Sequence, residues 1–96
     1  MSAFDLGRVV ATPGALEVLE LAGVQPRELL ARHVAGDWGD VPPEDARENE
    51  LSVREGFRIL SSYRVGDGEA GEAGARVWII TEADRSSTYL LLPSEY

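Results

Sequence analysis

The stretch FRILSSYRV, residues 57–65, alternates between two sets of side chains. One set is Phe57, Ile59, Ser61, Tyr63 and Val65, and the other is Arg58, Leu60, Ser62 and Arg64. A two-residue repeat is typical of a β-strand, whereas most of the chain before this stretch has helical spacing. Two more strands are predicted after it, Val77–Thr81 and Thr88–Leu92, and the apolar run of the first predicts a central strand. The change of period therefore places a sheet in the C-terminal half of the chain.

Three helices are predicted upstream of this sheet. The first covers residues 13–22, because Thr12 is a good N-cap, Pro13 suits the first helical position and Gly23 is a natural stop. The second runs from Gln25-Pro26 to Ala35-Gly36, and the third from Pro42-Pro43 to Gly56. The third helix has only a weakly apolar face, which predicts a position at the surface.

These elements predict a single α+β domain over residues 1–96, with the N-terminal helices packed on a C-terminal three-stranded antiparallel β-meander. The short β-branched stretch Arg8–Ala11 has the length of an edge strand, but it is not counted in that meander. Residues 66–75, which carry a Gly-Glu-Ala repeat, are predicted to be a flexible hairpin tip. The predicted core residues are Leu16, Leu19, Leu30, Trp38, Phe57, Ile59, Trp78, Ile80 and Leu90.

The net charge of −8 comes from two short segments. Residues 37–50 hold six carboxylates and one arginine, and residues 66–74 hold three carboxylates and no arginine. The carboxylates of the first segment are Asp37, Asp40, Glu44, Asp45, Glu48 and Glu50. Such a surplus argues against direct binding of nucleic acid, whose phosphates need basic partners. It favours either simple solvation or a protein partner with a basic surface.

Composition excludes several kinds of site. The chain has no cysteine, so it has no disulfide framework and no thiolate chemistry. With His33 as its one histidine, a zinc site would need carboxylates for the other ligands, which is uncommon. No phosphate-binding glycine loop or nucleophile elbow is present, so no cofactor, metal or catalytic residue is predicted. The absence of a long apolar run predicts no membrane contact and a cytoplasmic location.

Two groups of residues are the best candidates for chemistry. His33 lies near the end of the second helix, where a structural or capping role, contact with a partner and catalysis together with Asp37 are all open. The turn with Glu82, Asp84 and Arg85 could hold a cation or contact a partner. The alternative is a turn that satisfies itself, in which Asp84 binds local amides and Arg85 pairs with one of the two carboxylates.

Three stretches of the chain resemble a family of short bacterial proteins. They are Arg32–Asp40, with the sequence RHVAGDWGD, Trp78–Ser87, with WIITEADRSS, and the closing Leu91–Tyr96, with LLPSEY. Members of this family are usually labelled plasmid-related proteins or are named after type I restriction systems by genomic association. The resemblance covers nearly the whole chain, although the Gly-Glu-Ala tip departs from it. It implies no reaction and no catalytic residues, but it suggests a mobile-element context, in which small proteins often act on host defence machinery.

The hypothesis that follows is a small acidic, non-catalytic interaction protein, which could inhibit a restriction or CRISPR-like complex. Its acidic faces would occupy a basic groove as a mimic of nucleic acid. The predicted partner contacts are Asp37, Asp40, Glu44, Asp45, Glu48, Glu82, Asp84 and Arg85. Two alternatives remain: a small enzyme or ligand-binding domain that uses His33 and Asp37 or the Glu82–Arg85 turn, and an accessory subunit of a larger complex. A homodimer is one way to cover an apolar sheet face.

Overall fold

The computed structural model describes residues 3–66 and 75–96. Its elements are β1 (Arg8–Ala11), α1 (Pro13–Ala22), α2 (Pro26–Val34), α3 (Pro43–Glu55), β2 (Ile59–Val65), β3 (Ala75–Thr81), β4 (Ser87–Leu91) and a 3-10 turn at Pro93–Glu95. The α+β character and the three N-terminal helices are confirmed. The flexible hairpin tip was predicted at residues 66–75. Of these, residues 67–74, with all three carboxylates, lie outside the described residues.

The sheet differs from the prediction. It has four strands in the order β1-β4-β3-β2 and is mixed, so the predicted three-stranded antiparallel meander is wrong. β2, β3 and β4 pair antiparallel, but β1 pairs parallel with β4 and places Val10 beside Tyr89. A parallel pair needs a long connection between its strands, and here the helices lie within that connection. β1 has only four residues, and its partner β4 lies near the other end of the chain. The local sequence around β1 therefore does not indicate that the two strands pair.

Local sequence explains where the helices begin and end. The hydroxyl of Thr12 accepts a hydrogen bond from the amide of Ala15 at 3.0 Å, and Gly23 ends α1 in a left-handed conformation. In α2, the carboxylate of Glu28 accepts from the amide of Gln25 at 2.9 Å. Capping of this kind satisfies backbone groups that the first helical turn leaves free. No helix among the described residues is long and apolar enough to cross a membrane.

The helices cover one face of the sheet. α1 packs on β2, β3 and β4, and its buried Ala15 and Leu19 join Leu29, Tyr63, Val65, Val77, Ile79 and Leu90 in the main core. A second cluster holds Phe4, Trp38 and Ile59. Leu30 and Trp78, both predicted in the core, are half-buried, and Ile80 is buried on the opposite face of the sheet.

Two predicted core residues are exposed. Leu16 is 45% exposed, because the buried face of α1 is centred on Ala15 and Leu19 and leaves Leu16 on the outer side. Phe57 is 54% exposed, because its amide bonds to the carbonyl of Ser52 and its backbone belongs to the end of α3. The strand therefore begins two residues later than its alternating pattern predicts.

Candidate functional site

His33, the residue best suited to acid–base chemistry, is completely buried between α2 and the sheet. Its Nδ1 lies 2.6 Å from the hydroxyl of Ser61, and its Nε2 lies 2.9 Å from the hydroxyl of Thr81. The Thr81 hydroxyl is 2.8 Å from that of Thr88, which donates to the carbonyl of Leu6 at 2.7 Å. Five groups from five different parts of the polypeptide thus form one buried network of hydrogen bonds.

The carbonyl of Leu6, at one end of this network, determines which group donates in each hydrogen bond. A carbonyl can only accept, so Thr88 donates its one hydroxyl proton to Leu6 and accepts from Thr81. Thr81 has then used its own proton and accepts from the Nε2–H of His33. A neutral imidazole leaves Nδ1 as an acceptor for the hydroxyl of Ser61. Burial lowers the pKa of His33 to about 4, in keeping with a neutral ring.

This arrangement does not provide a reactive centre that a substrate could reach. Ser61 donates to His33, as a nucleophile does to its base, but both side chains are fully buried. His33 does not pair with Asp37, which the enzyme alternative would require, because both ring nitrogens are bonded to hydroxyls. Phe4 and Trp38 pack edge-on against the imidazole, with ring centroids 5.1 and 6.0 Å away.

Asp37 stabilises the turn between α2 and α3. Its carboxylate accepts from Arg32 Nε at 2.7 Å and from the amide of Gly39 at 3.2 Å. The hydrogen bond from Arg32 is the main cause that lowers the pKa of Asp37. The Arg32 guanidinium also lies over the ring of Tyr63, 4.6 Å from its centroid, and the Tyr63 hydroxyl donates to the carbonyl of Asp37.

The next residues of this turn cover the outer edge of β2. The amide of Ser62 donates to the carbonyl of Trp38 at 3.0 Å, and the amide of Asp40 donates to the carbonyl of Ser62. The carboxylate of Asp40 pairs with Arg76 at 3.2 Å. It does not cap α3, because Pro42 occupies the N-cap position.

Two side-chain contacts that were not predicted help to hold α3 against the rest of the protein. The side chain of Asn49 donates to the carbonyl of Leu60 at 2.8 Å and accepts from its amide at 3.2 Å. The indole of Trp38 donates to Glu50 at 3.0 Å. An asparagine in the middle of a helix is unfavourable in isolation, and this is the one sequence signal that marks Asn49 as special.

The charged side chains of the Glu82–Arg85 turn are bonded partly within the turn and partly to residues 52–58. Asp84 accepts from the amide and hydroxyl of Ser86, and these bonds lower its pKa. Arg85 has a φ of 61°, and among the described residues its guanidinium donates to carbonyl oxygens, so the alternative in which it pairs with Glu82 or Asp84 is wrong. The carbonyls belong to Ser52, Phe57, Glu82 and Ala83. The carboxylate of Glu82 pairs with Arg58 instead, at 3.4 Å.

Three of the six carboxylates in residues 37–50 remain, all on α3, and we call Glu44, Asp45 and Glu48 the acidic α3 face. All three are exposed, and none makes a side-chain hydrogen bond or an ion pair within residues 3–66 and 75–96. Asp45 and Glu48 border a shallow depression of about 240 Å³, which Arg58 and Leu60 also line. Carboxylates that remain free are those best placed to contact another molecule.

A depression of about 560 Å³ is an open groove between α1 and α2, and it contains none of the predicted site residues. No three His, Asp or Glu side chains of the described segments cluster closely enough to hold a metal ion. Comparison with known protein families, with curated proteins and with solved structures finds no match for this chain.

Proposed function

We propose that this chain is a non-catalytic interaction protein that binds a basic surface of a protein partner through the acidic α3 face. One observation carries the proposal. Of the six carboxylates in residues 37–50, Asp37, Asp40 and Glu50 are bonded to side chains of the same protein, whereas the acidic α3 face is exposed without such partners in the described chain. Within residues 37–50, the carboxylates available for binding therefore lie on one part of one helix.

The spacing of this face suits a partner that normally holds a nucleic acid. Side chains three and four positions apart on a helix are about 5–6 Å apart, which is of the same order as the phosphate spacing along one strand of a duplex. Arginines and lysines that bind phosphates could therefore bind these carboxylates. Binding that rests on such charges is fast and weakens as salt is added.

The surroundings of the other polar residues support binding rather than catalysis. His33 and Ser61 are closed off from solvent, and Arg85 is engaged with backbone carbonyls. The resemblance to plasmid-related proteins supports a more specific proposal, in which the partner is a host restriction or CRISPR-like complex in the cytoplasm of a bacterial cell. In that case the protein inhibits the complex by occupying its nucleic-acid groove.

The test is affinity capture from a lysate of the native host with three baits. The first is the natural protein, the second carries Glu44→Lys, Asp45→Lys and Glu48→Lys, and the third carries Asp5→Lys, Glu17→Lys and Glu20→Lys. The two variants change the net charge equally, but the control residues lie on the N-terminal segment and on α1. Circular dichroism and thermal melting show whether both variants are folded.

We expect the natural protein and the control to capture the same nucleic-acid-binding proteins, and the α3 variant to lose them. Equal capture by all three baits would refute the role of the acidic α3 face. Capture of a stable complex that does not bind nucleic acid, lost only with the α3 variant, would favour an accessory subunit over a mimic.

A further inference from the structure

The strand β1 forms a free edge of the sheet. The amide of Arg8 donates to the carbonyl of Ser86, and the amide of Thr12 donates to that of Leu90. Because backbone groups alternate along a strand, the N–H and C=O groups of Val9 and Ala11 point away from β4. Val9 is 44% exposed and Val10 is 39% exposed. Unpaired backbone groups beside exposed valines are a template for another strand.

The opposite edge of the sheet, by contrast, is covered at Leu60 and Ser62 of β2. There the outward groups of Leu60 bond to the side chain of Asn49, and those of Ser62 bond to the backbone of Trp38 and Asp40. Proteins commonly cover or charge their edges to prevent pairing with other chains. Within the part of the chain that the structure describes, no element covers β1 in this way.

We propose that the protein forms a two-fold homodimer by antiparallel pairing of β1 with β1 of a second copy, with Val10 facing Val10 of the partner subunit. This register pairs Val9 with Ala11 of the partner subunit on both sides of the axis. Each of these pairs exchanges two hydrogen bonds, so four bonds form. If Val9 instead faced Val9 of the partner subunit, one such pair and two hydrogen bonds would form. The register in which the two Val10 residues face each other is therefore favoured.

The side chains favour the same register. On the face of the sheet opposite the helices, Val10, Tyr89, Ile80 and Leu60 form a row across all four strands. The dimer continues this row from one copy into the other through the two Val10 side chains. Edge-to-edge pairing buries little area, so a weak, concentration-dependent dimer is expected.

Charge complementarity supports a second copy as the partner. The register places Arg8, exposed and without an ion pair in the described segments, opposite Thr12 of the partner subunit. Within one chain, Thr12 donates to the carboxylate of Glu95 at 2.7 Å, and this bond, after that from the Leu92 amide, lowers the pKa of Glu95. Each Arg8 would thus lie beside a carboxylate of the partner subunit, once on each side of the axis.

The dimer also fits the position of the other elements. α1 packs on β2, β3 and β4, so the helices leave the β1 edge accessible. α3 lies beside β2 at the far edge, so the dimer would carry its two acidic α3 faces at opposite ends. The proposal does not depend on the proposed function, because the two surfaces are on opposite edges of the sheet.

The test combines sedimentation with cross-linking. Val9→Pro removes an outward N–H group and leaves the hydrogen bonds between β1 and β4 in place. We expect the natural protein to show a concentration-dependent dimer in analytical ultracentrifugation and Val9→Pro to weaken it at least about tenfold. Thermal melting checks that the variant is folded.

Cross-linking tests the register without relying on that variant, because the natural chain has no cysteine. Directly opposed residues are about 4.5–5.5 Å apart between Cβ atoms, whereas the two Val9 residues would be diagonal neighbours at about 7–8 Å. We expect Val10→Cys to form a disulfide-linked dimer at least about tenfold faster than Val9→Cys at equal concentration. A natural protein that is monomeric at all concentrations, an unaffected Val9→Pro dimer or equal cross-linking of the two cysteines would overturn the proposal.

Discussion

The Nε2 atom of His33 lies 2.9 Å from the hydroxyl of Thr81, and this contact joins the helical half of the chain to the sheet. His33 belongs to α2 and Thr81 to the end of β3. The two longest stretches that suggest a family resemblance, residues 32–40 and 78–87, therefore meet inside the protein. The bonds of His33 and Thr81 therefore connect these two stretches within the folded protein.

Burial of His33 predicts a specific loss of stability in acid. The pKa of His33 is about 4 in the folded protein and 6.5 in an unfolded chain. A group whose pKa is depressed by folding contributes its full stability above the unfolded pKa. That contribution is lost as the pH falls from 6.5 towards 4, and the total loss is roughly 3 kcal/mol.

Urea unfolding at a series of pH values measures this effect. The variant His33→Gln cannot titrate in this range, so its free energy of unfolding should fall less steeply between pH 6.5 and pH 4 than that of the natural protein. The difference in slope is the readout, and a lower stability of the variant at neutral pH does not affect it. Parallel curves for the two proteins would show that folding does not lower the pKa of His33.

The two hydrogen bonds of Asn49 predict that this residue anchors α3 to β2. Asn49→Ala leaves the amide and carbonyl of Leu60 without their partner at the sheet edge. We expect a loss of about 1–3 kcal/mol in the free energy of unfolding. Hydrogen exchange of the Leu60 amide should also become faster.

The neighbouring Glu48→Ala is the control, because Glu48 is exposed on the same helix. Its expected effect is within about 0.5 kcal/mol. Similar effects of the two substitutions would mean that the Asn49 contact adds nothing to stability.

We expect position 39 to tolerate no residue other than glycine without a large loss of stability. Its φ is 75°, and a Cβ atom would overlap the carbonyl of Ser62 and lie 2.7 Å from Tyr63 Cδ1. Gly23 has a similar φ of 72°, but a Cβ atom there meets nothing within 4 Å. We expect Gly23→Ala to cost about 1 kcal/mol from backbone strain alone and Gly39→Ala to cost at least about 2 kcal/mol more.

Thermal or urea unfolding of the two variants separates steric overlap from backbone strain. An equal loss of stability in both would contradict the close approach of Gly39 to β2.

The sequence predicts those parts of the fold that depend on local signals. The first helix is confirmed at residues 13–22, because its cap, its proline and its terminal glycine all lie within the segment. The pairing of β1 with β4 has no such signal, and the position of Phe57 depends on a helix end that extends into the predicted strand. Long-range pairing of short strands is therefore the main feature that sequence analysis missed.

In the candidate site, too, local features could be predicted from the sequence and long-range contacts could not. The acidic segment could be located from charge alone, but the carboxylates that are used internally could not be distinguished from those that are free. Asp40 is neutralised by Arg76, which is 36 residues away along the chain. The partners of His33 are 28 and 48 residues away, and they are hydroxyls rather than the charged groups that a sequence search favours.

The most direct test of the central claim is the affinity for the captured partner as a function of salt. The natural protein is compared with a variant that carries Glu44→Gln, Asp45→Asn and Glu48→Gln, which removes the charge and keeps the shape of the acidic α3 face. We predict that the variant binds at least about tenfold more weakly at low salt and that its affinity depends less on salt. Equal affinity and equal salt dependence of the two proteins would contradict the account.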